Sequence, residues 1–208
     1  MDEQLMEFEF SNALRLSIKV HATSGPADRS VFSVEEIEAL KHARQNESYL
    51  RGRTALKTIL RRLEMNVTVD SLKFPHKQIS LTHSGDCAVA VGTAEPVLGI
   101  GIDFEMMKPV KSAMSRFFLT KSELIWIDEI SVSEQATELL RLWTVKEALF
   151  KSDPENRNRT LKSYCLLEPK TLTGQAFISG NRKTELRYSS LKLESEFEGY
   201  LSVAARLY

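Results

Sequence analysis

The chain has little cysteine, no excess of either charge and no long apolar run. Only two of its 208 residues are cysteines, Cys87 and Cys165. Two so far apart are too few for a disulfide scaffold or a four-ligand zinc site, and they are expected to be small core residues of a reducing compartment. Lys+Arg and Asp+Glu each number 28, so the net charge is zero. A balanced total gives no electrostatic footprint for nucleic acid or a membrane surface. No stretch nears the roughly 18 apolar residues of a spanning helix. The opening MDEQLMEFEF is acidic and lacks the apolar run of a secretory leader. Low-complexity segments and short repeats are also missing. What is present, 42% hydrophobic and 27% charged residues, supports a folded core rather than disorder. The expectation is a soluble, cytoplasmic, mixed globular protein of one large domain or two small ones.

The run LRLSIKVHA (14–22) alternates, with Leu14, Leu16, Ile18 and Val20 on one face, as a half-buried strand does. Residues 46–64 carry Leu56, Ile59, Leu60 and Leu63 at helical spacing. Gly52 inside that helix marks the close approach of a neighbour or a ligand. ISLTHS (79–84) and CAVAVGT (87–93) read as strands joined by a turn at Gly85-Asp86. VLGIGIDFE (97–105) is a strand with tight glycine packing. Residues 120–130 and 133–152 are predicted helices, the first opened by a Thr120/Glu123 capping box and the second closed by Asp153-Pro154. Residues 164–168, 173–179, 184–189 and 200–208 are strand candidates. Strands and helices do not alternate strictly, which favours an α+β fold. A coarse echo between the halves suggests a division into 1–95 and 96–208.

Four places can carry chemistry. In GIDFE (101–105), Asp103 and Glu105 leave one face of a strand while Ile102 and Phe104 enter a core. Two neighbouring carboxylates repel unless a cation lies between them, and a hard ion such as Mg²⁺ prefers oxygen ligands. A solvated strand end is the alternative. In WTVKEALFK (143–151), Trp143, Glu147 and Lys151 form one helical stripe. A surface ion pair is the alternative there, but a solvated face seldom carries a tryptophan. In SLTHS (80–84), Thr82 and His83 stand beside a turn and suit phosphate oxygens, or His83 is a structural hydrogen-bonder. Arg53, Lys57 and Arg61 line one face of the 46–64 helix, with Arg51, Arg62, Lys41 and Arg44 nearby. That face is either solvated or an acceptor for an anionic ligand or partner.

Taken in order, SLTHS, GIDFE and WTVKEALFK resemble the 4′-phosphopantetheinyl transferase superfamily, in its monomeric surfactin-synthetase-activating type. The resemblance spans residues from about 44 to 151. It implies a pseudodimer of two similar α+β halves, each a small antiparallel sheet with packed helices, and coenzyme A in the cleft between them. It implies Mg²⁺-dependent transfer of the phosphopantetheine arm of coenzyme A to a serine of an acyl, aryl or peptidyl carrier protein, with release of adenosine 3′,5′-bisphosphate. By the resemblance, Asp103, Glu105 and Glu147 are the metal-binding acids, Glu147 is also the candidate general base, and Lys151 faces the pyrophosphate. Thr82, His83 and Arg53 are coenzyme A contacts, and Asp103 borders that site. The family's upstream lysine is matched by Lys77, with Lys73 the alternative. The 3′-phosphate contact falls to Lys41, Arg44 or Arg53, because the preceding segment VEEIEALK is mostly acidic.

Two other readings are possible. A catalytically silent carrier or coenzyme A binding module has no need of three convergent acids. A nucleic-acid binder using residues 51–62 would need aromatic residues among the basic ones. RFF (116–118) is a candidate apolar patch for the carrier, or else core. No nucleic-acid or membrane partner and no oligomer are expected.

Overall fold

Alternating apolar residues build two antiparallel sheets, one from each half of the chain. The structure is a computed structural model, and it describes residues 4–10, 14–41, 46–108, 110, 112–194 and 198–208. The first sheet contains β1 (Gln4–Phe10), β2 (Leu14–Ser24), β3 (Ile79–Ser84) and β4 (Cys87–Gly92) in the order β1-β2-β4-β3. The second contains β5 (Gly99–Met106), β6 (Tyr164–Leu166), β7 (Thr173–Ile178), β8 (Asn181–Leu193) and β9 (Gly199–Arg206) in the order β5-β9-β8-β7-β6. The helices are α1 (Val34–Lys41), α2 (Glu47–Arg62), α3 (Ser115–Phe118), α4 (Lys121–Glu129) and α5 (Val132–Ser152). The class is α+β, as the element pattern predicts. No helix among the described residues is long and apolar enough to cross a membrane.

The period of two in each strand decides the layering. Ile18 and Val20 of β2, Val89 and Val91 of β4, Ile100, Ile102 and Phe104 of β5, and Leu201 and Val203 of β9 meet between the sheets. The opposite face of the first sheet gives Ile79, Ala88 and Ala90 to Leu56, Ile59 and Leu60 of α2. The outer face of the second gives Ala176, Leu186, Tyr188 and Ala204 to Leu142, Val145 and Leu149 of α5. The order is therefore helix, sheet, sheet, helix. Each of these larger aliphatic or aromatic side chains contributes about 1.5–3 kcal/mol through burial.

Glycines set the closest approaches. A Cβ on Gly101 would lie 2.0 Å from the carbonyl oxygen of Ala148, and one on Gly99 would lie 2.1 Å from that of Ser152. The last turns of α5 thus rest directly on β5. Gly52 in α2 faces Leu81, whose Cδ2 would be 3.1 Å from an added Cβ. The close neighbour predicted at Gly52 is therefore strand β3.

The basic stripe of α2 is not a bare solvated face. Arg51 donates to the Gly25 carbonyl at 2.6 Å and Arg61 to that of Val31 at 2.6 Å. Lys57 pairs with buried Glu36 at 2.8 Å. Arg53 donates to the Val69 carbonyl at 3.1 Å and lies over the Tyr49 ring. These cations lash the flanking loops to the helix. Arg44 lies outside the described residues.

Two buried charge clusters brace the second half. Glu123 closes the predicted capping box of α4 by accepting from the Thr120 N–H. It also accepts from the Leu166 N–H of β6 and pairs with Lys146 of α5 at 2.7 Å, both side chains being fully buried. Lys146 donates as well to the Tyr164 carbonyl. Asp153, just past α5, receives Arg159, the Tyr164 hydroxyl at 2.8 Å and Arg206 at 2.5 Å.

Candidate active site

The site forms where three elements meet. β5 presents Asp103 and Glu105, α5 presents Glu147 and Lys151 one turn apart, and β3 runs alongside β5. The two strands belong to different sheets and are joined by side chains. The hydroxyls of Ser80, Thr82 and Ser84 accept from the N–H groups of Ile102 at 3.1 Å, Phe104 at 3.3 Å and Met106 at 3.3 Å.

Asp103 is 5% exposed. Its Oδ1 accepts from Thr82 Oγ1 at 2.9 Å and from Lys151 Nζ at 2.7 Å. Its Oδ2 is buried and has no hydrogen-bond partner among the described residues. Lys151 also donates to the Ile102 carbonyl at 3.2 Å. Glu105 Oε2 accepts from Ser84 Oγ at 2.8 Å and Lys108 Nζ at 2.6 Å.

The electrostatics place Glu147 with this pair. Burial pushes its carboxyl above the usual carboxylate range, and the charges of Asp103 and Glu105 push it further. Lys151 opposes that shift. Asp103 is also pushed up, chiefly by burial, against the pull of Lys151 and the Thr82 hydroxyl. Among the described residues, no three His, Cys, Asp or Glu side chains already converge as a metal site. The donor chemistry nonetheless suits a hard cation: the charges of Asp103 and Glu105 raise the proton affinity of Glu147, and Asp103 keeps a buried oxygen with no partner among the described residues.

A cleft of about 450 Å³ opens beside the acids. Its walls include Arg53 of α2, Phe74, Pro75 and Leu81 from the first half, and Phe150, Lys151 and Asn156 from the second. Lys151 belongs to both places, since its ammonium touches Asp103 while the side chain borders the cleft.

Of the predicted site residues, Asp103, Lys151 and Thr82 are in direct contact, Glu105 and Glu147 adjoin them electrostatically, and Arg53 lines the neighbouring cleft. Thr82 faces Asp103. His83 is exposed on the opposite side of β3 and does not line the cleft. Lys77 and Lys73 are exposed in the segment before β3. Sequence reasoning missed the bonds of Ser80 and Ser84 to β5, and Lys108 on Glu105. The alternating serines and threonine at 80, 82 and 84 were the available signal.

Residues 99–201 match the family model described as the 4′-phosphopantetheinyl transferase superfamily. That match covers just under half of the chain. Two relatives from Bacillus subtilis are similar over 90 residues at 27% identity: the 4′-phosphopantetheinyl transferases ffp and, in strain 168, Sfp. Each match covers 43% of this chain and 39% of the relative. The chain thus spans well under half the length of these curated relatives. Asp103, Glu105, Glu147 and Lys151 fall inside the superfamily match, whereas Arg53, Thr82 and His83 precede it.

Proposed function

We propose that this chain is a 4′-phosphopantetheinyl transferase that moves the phosphopantetheine arm of coenzyme A to a serine of an acyl, aryl or peptidyl carrier protein. The observation that carries the reading is the position of Lys151, which reaches Asp103 at one end of an open cleft lined by Arg53. A pyrophosphate in that cleft would find fixed positive charge next to a carboxylate cluster. The halves 1–95 and 96–208 are read as a pseudodimer, acting as a cytoplasmic monomer.

In this reading the serine oxygen attacks the phosphorus that bears the pantetheine arm. The bond to the second phosphate breaks, and adenosine 3′,5′-bisphosphate leaves. Glu147 takes the serine proton directly or through water, as the acid on α5 nearest Lys151 in the helical stripe. Lys151 offsets charge growing on the departing phosphate. Asp103, Glu105 and Glu147 would hold Mg²⁺, which supplies Lewis-acid charge and orients the phosphates. His83, Lys77 and Arg53 remain candidate contacts to the rest of coenzyme A.

The carrier is read to dock on the segment after β5. Residues 106–121 carry Lys108, Lys111, Arg116 and Lys121, no acid, and three methionines. Phe117 in this segment is 61% exposed and lies under the Arg116 guanidinium. Such a basic, adaptable apolar surface complements an acidic amphipathic partner. Incubating apo carrier proteins with the chain, coenzyme A and Mg²⁺ tests the activity by intact mass. One added phosphopantetheine per carrier is expected. Coenzyme A binding without any mass gain across the panel would leave a binding module instead.

A further inference from the structure

We infer that the hydroxyls of Thr82 and Ser84 are positioning residues that aim the carboxylates of Asp103 and Glu105. The inference rests on the reading of those two acids as ion ligands. The sequence reading of both hydroxyls differs from this role: Thr82 and Ser84 stand there as small hydroxyls suited to phosphate oxygens.

The geometry leaves each hydroxyl little choice. A hydroxyl has one proton to donate and lone pairs to accept with. Thr82 Oγ1 accepts from the Phe104 N–H and Ser84 Oγ from the Met106 N–H, both at 3.3 Å. A backbone N–H can only donate, so the hydroxyl oxygen is fixed as its acceptor. The single O–H proton is then free for the carboxylate. Thr82 gives it to Asp103 Oδ1 at 2.9 Å, and Ser84 gives it to Glu105 Oε2 at 2.8 Å.

The pattern repeats in register. Both hydroxyl–carboxylate bonds join residues 21 apart, and both hydroxyl–amide bonds join residues 22 apart. Each carboxylate is held by one oxygen. In Asp103 the other oxygen, Oδ2, is buried without a partner among the described residues. A carboxylate held in this way presents one defined acceptor, and outer partners of this kind govern ligand orientation and affinity.

Ser80 supplies an internal control. Its hydroxyl accepts from the Ile102 N–H at 3.1 Å. It makes the same link between the sheets, but its register partner is Gly101, which has no side chain. Loss of Ser80 should therefore cost the strand link without disturbing an acid.

The test is Mn²⁺ uptake by the full chain without coenzyme A, followed by the loss of the free-ion paramagnetic resonance signal and paired with melting temperatures. Ser84→Ala and Thr82→Val should each weaken Mn²⁺ binding about 10-fold. Ser84→Thr and Thr82→Ser should restore it. Ser80→Ala should lower the melting temperature as its counterparts do, with Mn²⁺ affinity unchanged. Unchanged affinity in Ser84→Ala and Thr82→Val, or an equal loss in Ser80→Ala, overturns the positioning role while the ion site stands. No Mn²⁺ uptake by the unsubstituted chain would instead remove the ion-ligand reading, and this inference with it.

Discussion

Lys151 Nζ sits 2.7 Å from Asp103 Oδ1, joining the last turn of α5 to the middle of β5. The lysine side chain is 29% exposed and the aspartate side chain 7%. The ammonium therefore neutralises a buried acid from the solvent side, where it borders the cleft. Charge-assisted hydrogen bonds of this kind are worth about 1.5–3 kcal/mol. Lys151→Met is expected to weaken coenzyme A binding by about 10- to 100-fold, measured by calorimetry. The same variant should bind Mn²⁺ at least as tightly as the unsubstituted chain when coenzyme A is absent, because a competitor for Asp103 has gone.

Gly101 tests how far the site depends on backbone contact. Its missing Cβ leaves room for the Ala148 carbonyl of α5. In Gly101→Ala the helix must move away from β5, carrying Glu147 and Lys151 with it. A loss of about 1–3 kcal/mol in unfolding free energy is expected from overpacking. Transfer to the carrier should slow as well, and denaturant unfolding beside turnover measurements checks both.

Phe117 and Phe118 divide the RFF segment between two roles. Phe118 is fully buried and meets Trp143 edge-on at 5.2 Å, so it belongs to the core. Phe118→Ala should cost about 3–5 kcal/mol in unfolding free energy. Phe117→Glu should leave the melting curve unchanged and raise the KM for an acidic carrier. A collapsed melting curve for Phe117→Glu would remove the docking role.

Asp153 should govern acid stability. Burial alone would raise its pKa, but the Glu155 N–H, Arg159 and the Tyr164 hydroxyl together hold it below the usual carboxylate range. A depressed folded-state pKa stabilises the fold above the unfolded value, near 4. That contribution is lost as pH falls toward the folded-state pKa. Asp153→Asn should lower stability at pH 7 and flatten its dependence on pH in the acid range. Urea midpoints across that range report both effects.

The second half was more legible than the first. Thr120 with Glu123, the alternation of Ile100, Ile102 and Phe104, and the stripe along α5 are local patterns, and the structure keeps them. β1 went unread although Met6, Phe8 and Phe10 alternate with Glu7 and Glu9, the period-two signal of a strand, because its acids also mark the opening as no leader. α1 was also unread, although Ser33 and Glu36 exchange hydrogen bonds as a capping box. The loop-holding bonds of the basic helix α2 were hidden for a physical reason. Its partners are loop carbonyls 26 and 30 residues away, at Gly25 and Val31, which spacing along a helix cannot reveal. Lys146 reads as one more charge beside Glu147, and only the meeting of α4, α5 and β6 buries it against Glu123. The acids of the site were visible as residue types. Thr82 was visible too, but its bond to Asp103 and that of Ser84 to Glu105 were not, because β3 and β5 belong to different sheets.

The most direct test of the account is the rate of phosphopantetheine transfer as Mg²⁺ is varied, for the unsubstituted chain and for Glu147→Gln. The account predicts no transfer with excess chelator and a saturable rise with Mg²⁺. It predicts that Glu147→Gln loses about 100-fold or more at saturating Mg²⁺. Unimpaired transfer in chelator, or full turnover by Glu147→Gln, would contradict it.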